Sequence, residues 1–197
     1  VLTRAIPVAW FASQDDGGSM KGPQQISNCY DHYFQVYALE FFYQTLPWQW
    51  FKAQAIAESG LDPTAVSPVK AKGVMQLMPF TAAEIATKLG IDNVGDVIKV
   101  PHVNIRLGIA YDRQCWDMWK REQGIERIRF MLGSYNAGPG NILRAQQLAE
   151  RAKLPTDRWE FITMSLPEIT GRHATETINY VQKVETVFAS LATEKKQ

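Results

Sequence analysis

The chain has 197 residues, 21 Lys+Arg against 20 Asp+Glu, and 46% hydrophobic residues. That balance excludes a disordered or collagen-like chain and suits one domain whose core buries about 70% of the unfolded surface. With a net charge of +1 and no basic run longer than the Lys195-Lys196 tail, no nucleic acid partner is expected.

The chain opens on Val1 rather than Met, as a processed or truncated chain does, so an export signal would lie ahead of it. The opening VLTRAIPVAWFAS is broken by Arg4 and Pro7 and falls short of the roughly 20 apolar residues that span a bilayer, so it is not a membrane anchor. Residues 13–25, SQDDGGSMKGPQQ, read as a loop or an arm boundary. An N-terminal arm and helix over 1–45, packed on a domain formed by 46–197, is the expected organisation.

Beyond the arm, apolar residues recur at helical spacing. Ile105, Gly108, Ile109, Asp112, Cys115, Trp116 and Trp119 follow one stripe, and Val181, Val184, Val187, Phe188 and Leu191 another. The fold class is therefore all-α, with helices predicted over 28–45, 48–59, 80–89, 102–121, 124–135, 140–152, 156–165 and 173–192. Thr81 with Glu84 behind Pro79 reads as a capping box, and Gly90 as the glycine that ends that helix. The breaks SGLDPTAVSPVKAKG and NAGPG are polar loops on a helical scaffold, where chemistry is most often placed.

Cys29 and Cys115 are the only cysteines, with no Cys-x-x-Cys pair or His/Cys cluster, so no metal is expected. They could pair across a long loop, contributing about 4 kcal/mol on the loop-entropy model, or both be buried thiols. His32, His102 and His173 are scattered without a nearby nucleophile and are assigned no role. Trp116 and Trp119 belong to a core stripe, while Trp48 and Trp50 are open as sugar-stacking faces.

Glu58 follows Phe51 by seven residues and Ala55 by three, which puts it on a partly apolar stripe, and Gly60 ends the helix at once. Burial and the negative end of the helix dipole both raise a carboxyl pKa there. An acid still protonated near neutrality is what general acid catalysis of glycosidic cleavage needs. By position alone, a solvated glutamate at a helix end is the commoner outcome. Within GVMQLMP, Val74, Leu77, Met75 and Met78 suit a core, whereas the Gln76 amide must satisfy backbone groups or bind a ligand.

An ordered set of motifs surrounds Glu58. Glu58-Ser59 is followed by Ser67-Pro68, by Gly73-Val74-Met75-Gln76-Leu77-Met78-Pro79, by Asn104-Ile105 with Gly108, by Ser134-Tyr135-Asn136-Ala137-Gly138-Pro139-Gly140, and by Glu176-Thr177 with Tyr180-Val181. Over about residues 46 to 190 this set resembles the catalytic domain of soluble lytic transglycosylases, peptidoglycan-cleaving enzymes with a goose-type-lysozyme-like fold. The resemblance implies a helical domain with a substrate groove, extending over 46–197. It implies Glu58 as the single catalytic acid and base. Ser67, Gln76, Met78, Tyr135, Asn136 and Tyr180 would bind substrate, and Ser59 and Glu176 would support them. It further implies cleavage of the bond between N-acetylmuramic acid and N-acetylglucosamine without water, giving a 1,6-anhydromuramoyl end. No cofactor is implied. Peptidoglycan glycan strands are the expected partner of a monomer in the periplasm or cell envelope, with room for an envelope protein as a second partner. Gly171-Arg172-His173 reads as an extra loop before the last motif. The rival expectations are a hydrolytic muramidase using Asp62 or Glu176 to activate water, and a glycan-binding module without turnover.

Overall fold

Helix-compatible stretches punctuated by Gly and Pro fold here into nine helices among the described residues, 27–194 of this computed structural model. The expectations for 13–25 and for the apolar opening lie outside the described residues. In order the helices are α1 (Asp31–Phe42), α2 (Gln49–Ser59), α3 (Pro79–Leu89), α4 (Val94–Val97), α5 (Pro101–Met118), α6 (Gly124–Ala137), α7 (Pro139–Arg151), α8 (Trp159–Thr170) and α9 (His173–Glu194). Regular strands are absent among the described residues; isolated bridges Val66 to Lys72 and Lys72 to Leu77 pin one loop.

Helix ends follow local chemistry. Gly60 and Gly90 close α2 and α3 in the left-handed region, the conformation in which a missing Cβ removes the steric cost. The capping box at Thr81 and Glu84 is not formed. Pro79 is already the first helical residue, behind Met78 as N-cap, so the helix begins before Thr81, and Glu84 instead pairs with Lys88 at 2.7 Å. The predicted helix over 156–165 starts at Trp159 and runs through Pro167 to Thr170. Gly171-Arg172-His173 is no inserted loop. Gly171 caps α8 and His173 already begins α9, so the two helices are joined by a tight turn.

The core forms where α2 lies along α9, α7 against α8, and α1 and α6 against α5. Trp50 of α2 stacks on Phe188 of α9 with ring centroids 3.8 Å apart, so Trp50 is a packing residue rather than a sugar face. Trp116 and Trp119 are buried as expected. The amphipathic stripe of α1 docks Phe34, Ala38 and Phe42 into the same core. The buried Lys52 of α2 reaches across to Asp31 at 2.6 Å and to Asn28 Oδ1 at 2.9 Å, which supplies the partners that a buried ammonium requires. Cys29 is exposed and Cys115 buried, both as free thiols, so they neither pair nor share burial.

Candidate active site

The site is built around the loop joining α2 to α3, whose backbone is held from four directions. Ser59 Oγ, at the end of α2, donates to the Val74 carbonyl at 2.7 Å. From α5, Asn104 Oδ1 accepts from the Met75 N–H at 2.6 Å, while its Nδ2 donates to the carbonyls of Lys72 at 3.0 Å and Ile98 at 2.8 Å. From α6, the Tyr135 hydroxyl donates to the Met75 carbonyl at 2.7 Å. Within the loop, Gln76 Nε2 donates to the carbonyls of Gly73 at 2.9 Å and Ala65 at 3.3 Å. Gln76 has φ 45°, a left-handed conformation that costs a non-glycine residue about 1 kcal/mol or more and persists only where surrounding bonds over-determine it.

Two glycines make the clamp possible. At Gly73 (φ 78°) a Cβ would lie 2.6 Å from Asn104 Nδ2, and at Gly108 it would lie 2.7 Å from Met75 Cγ. Gly73 thus lets the loop backbone pass close to the Asn104 side chain.

Glu58 sits in the last turn of α2 beside this loop and is only 8% exposed. Burial pushes its carboxyl up to about 8, against the opposing pull of Tyr180 and Lys183, and Glu176 adds to the rise. Glu176, Tyr180 and Lys183 follow one another at spacings of four and three on α9, so a single helix face addresses the glutamate. The Tyr180 hydroxyl is buried close enough to favour the ionised form of Glu58, but it makes no well-formed hydrogen bond. Lys183 Nζ also donates to the Ala57 carbonyl at 2.8 Å, in the last turn of α2. Glu176 is half-buried, with its carboxyl raised by burial, and lies 3.3 Å from His173 Nδ1.

The expected site residues thus fall into two sets. Glu58, Glu176 and Tyr180 face one another, and the Ser59 hydroxyl holds the loop through the Val74 carbonyl. Met78 is half-buried as the N-cap of α3, while Met75 is fully buried core. Tyr135 and Asn136, expected to bind substrate, are 2% and 3% exposed in the last turn of α6. The Tyr135 hydroxyl is engaged by Met75 rather than by Glu58, because α6 crosses beneath the loop. Both Gln76 amide hydrogens are likewise spent on loop carbonyls, so its Nε2 is a loop tie and not a ligand donor. Ser67 Oγ accepts from the Ala71 N–H at 3.0 Å and closes a turn. Asp62, a candidate second carboxylate, is exposed and occupied by Thr64, whose N–H and hydroxyl both donate to it at 2.7 Å.

Side-chain atoms of Asn136 (Nδ2), Tyr180 (OH) and Glu176 (Oε1) are buried without partners. Groups of this kind are rarely left unpaired unless a ligand or water completes them. Asn104, which is central to the clamp, and Lys183 are functional residues to which helical spacing and motifs assigned no role. For Asn104 the visible signal is a polar residue on the apolar stripe of α5.

The family model described as the transglycosylase SLT domain matches residues 43–156. A membrane-bound lytic murein transglycosylase F of Maricaulis maris is 34% identical over 141 residues, covering 68% of this chain and 28% of the relative. Its counterpart in Desulfosudis oleivorans is 30% identical over 160 residues, covering 75% of this chain and 34% of the relative. The chain therefore spans about a third or less of these relatives. Among solved structures, an inactive variant of the lytic transglycosylase Slt from Pseudomonas aeruginosa superposes with a TM-score of 0.68 at 27% identity, covering 87% of this chain and 25% of that one. The 70 kDa soluble lytic transglycosylase of Escherichia coli superposes with a TM-score of 0.66 at 25% identity, covering 83% of this chain and 24% of that one.

Proposed function

This chain belongs to the transglycosylase SLT domain family, and on that footing we propose that it cleaves peptidoglycan glycan strands between N-acetylmuramic acid and N-acetylglucosamine without consuming water. The observation that carries the reading is Glu58, a buried carboxyl held protonated to about pH 8 beside a rigidly clamped loop. The same side chain can then serve as acid and as base.

In the first half-reaction the Glu58 proton passes to the glycosidic oxygen, the C1–O bond breaks, and positive charge develops on the muramoyl ring. The sugar's own N-acetyl group shares that charge. Glu58, now ionised with Tyr180 and Lys183 favouring its charge, takes the proton of the C6 hydroxyl as that oxygen bonds to C1. The product is a 1,6-anhydro ring, and Glu58 is protonated again. Attack by an oxygen of the same sugar carries an effective molarity of about 10⁵ M or more, so water need not be positioned. The unpartnered atoms of Asn136, Tyr180 and Glu176 are the groups proposed to meet the sugars, with Ser67, Met78 and the remaining oxygen of Gln76 along the groove. Tyr135 serves through the loop it holds.

A hydrolase would require a second carboxylate free to activate water. Asp62 is tied into its own turn, which weighs against it, and of Glu176 only Oε2 is held, by His173. Residues 46–197 are proposed as the catalytic domain, with residues 1–45 as an arm whose helix α1 packs on it. Such a domain would act as a monomer on glycan strands in the periplasm or at the envelope. Among the described residues no helix is long and apolar enough to cross a membrane.

The deciding experiment is digestion of purified sacculi by wild type and Glu58→Gln, with the muropeptides resolved by mass spectrometry. Anhydromuropeptides from wild type, reduced about 10³-fold or more in the variant, are expected. Products one water heavier would make the protein a hydrolase. Binding without soluble product from either would make it a glycan-binding module.

A further inference from the structure

Below Glu58 lies a pair of buried polar side chains that the reaction above leaves unused. Gln54 stands one turn before Glu58 on α2, and its Nε2 donates to Asp112 Oδ1 of α5 at 3.1 Å. Both residues are completely buried. Their other two oxygens, Gln54 Oε1 and Asp112 Oδ2, are buried without a hydrogen-bond partner. An ionised carboxyl offers only acceptors, so it cannot repair this defect; it would leave two unpaired acceptors in the core. One proton on Asp112 Oδ2 removes both orphans together, because a carboxylic acid and a primary amide each present one donor and one acceptor along an edge.

We propose that Asp112 is a neutral carboxylic acid closed with Gln54 into a ring of two hydrogen bonds, and that this ring positions Glu58 by tying the inner face of α2 to α5 without adding a buried negative charge. The ionisable groups around it agree. Glu58 faces Asp112 from α2, Tyr111 and Cys115 adjoin it on α5, and Tyr135 and Tyr180 approach from α6 and α9, with Glu84 of α3 reaching Tyr111. Each is neutral or becomes negative when it titrates. The cation of the site, Lys183, bears on Glu58, as does Glu176. Burial pushes the Asp112 carboxyl well above the ordinary range; the hydrogen bond from Gln54 pulls the other way, and the nearby Glu58 pushes it up further. The consequence for catalysis rests on the transglycosylase reading: Glu58 must ionise midway, and a second buried anion at Asp112 would oppose that step.

The first test needs no turnover. In the full chain with selectively ¹³C-labelled aspartate carboxyls, one resonance is expected at the position of a protonated acid at about pH 7, where an ordinary aspartate is ionised, and it should be absent from Asp112→Asn. A folded wild type whose aspartates are all ionised at about pH 7 would overturn the proposal. The second test is kinetic. Asp112→Asn offers the same donor and acceptor edge, so its melting temperature should stay within about 2 °C of wild type and the Glu58 limb of its pH–rate profile should not move. If Asp112 were an anion, removing its charge would lower that limb by about one pH unit, which would likewise refute the neutral pair. Asp112→Leu opens the ring and should lower kcat about 10-fold with KM little changed, while Asp112→Asn restores the rate. Loss of the transglycosylase reading would leave the carboxyl resonance in place, so the two failures are distinguishable.

Discussion

Replacing Glu58 by Gln should stabilise the protein, and more so the higher the pH. The carboxyl has an ordinary value of 4.5 and is pushed up to about 8 in the fold. Because the folded value is the higher one, the native state keeps a proton that the unfolded chain releases. Stability contributed by this group is therefore complete at low pH and is lost as pH rises through the window between those values. At 1.36 kcal/mol per pH unit, linkage over that window gives a cost of about 1 kcal/mol at pH 5 and about 4 kcal/mol at pH 8. With Glu58 only 8% exposed, solvent screening does not reduce this greatly. Gln is neutral at every pH and escapes the cost. Any fixed penalty for its extra donor cancels when the gap between variant and wild type is compared at two pH values. That gap should widen by about 3 kcal/mol between about pH 5 and pH 8, or roughly 6–12 °C in Tm for a domain of this size. Thermal unfolding followed by circular dichroism in matched buffers measures it. A gap that stays flat with pH would mean that Glu58 titrates alike in the folded and unfolded chains, and would remove the basis for its role as an acid.

The clamp and the electrostatics give further expectations. Asn104→Ala strips partners from the Met75 N–H and from the carbonyls of Lys72 and Ile98; it should cost about 3–5 kcal/mol in denaturant unfolding and abolish most activity, and a loss below about 1 kcal/mol would refute the clamp. Tyr135→Phe leaves the Met75 carbonyl unpaired and should cost about 1–2 kcal/mol with a smaller fall in kcat than Glu58→Gln, whereas an equal fall would place Tyr135 in the chemistry itself. Lys183→Met removes a charge that favours ionised Glu58, so the alkaline limb of the pH–rate profile should move to higher pH; an unmoved limb would show that Lys183 serves only to hold α2 to α9.

Helical periodicity, glycine stops and the ordered motifs made the all-α class, most helix spans and the family legible in the sequence, because these depend on residues near one another in the chain. The ordered motifs also singled out Glu58, which by its helix-end position alone reads more often as a solvated glutamate. Tertiary structure decided what each surrounding polar group spends its hydrogen bonds on. Gln76 and Tyr135 look alike in a motif whether they hold sugar or backbone, and only the crossing of α5 and α6 beneath the loop commits them to backbone. The same holds for Asp112, one charged letter on an apolar stripe, which acquires meaning when α2 brings Gln54 against it. The partners in these interactions lie far apart in sequence. Their pairing is set by helix packing, in which burial removes water as the alternative partner and forces each polar group to find one in the fold.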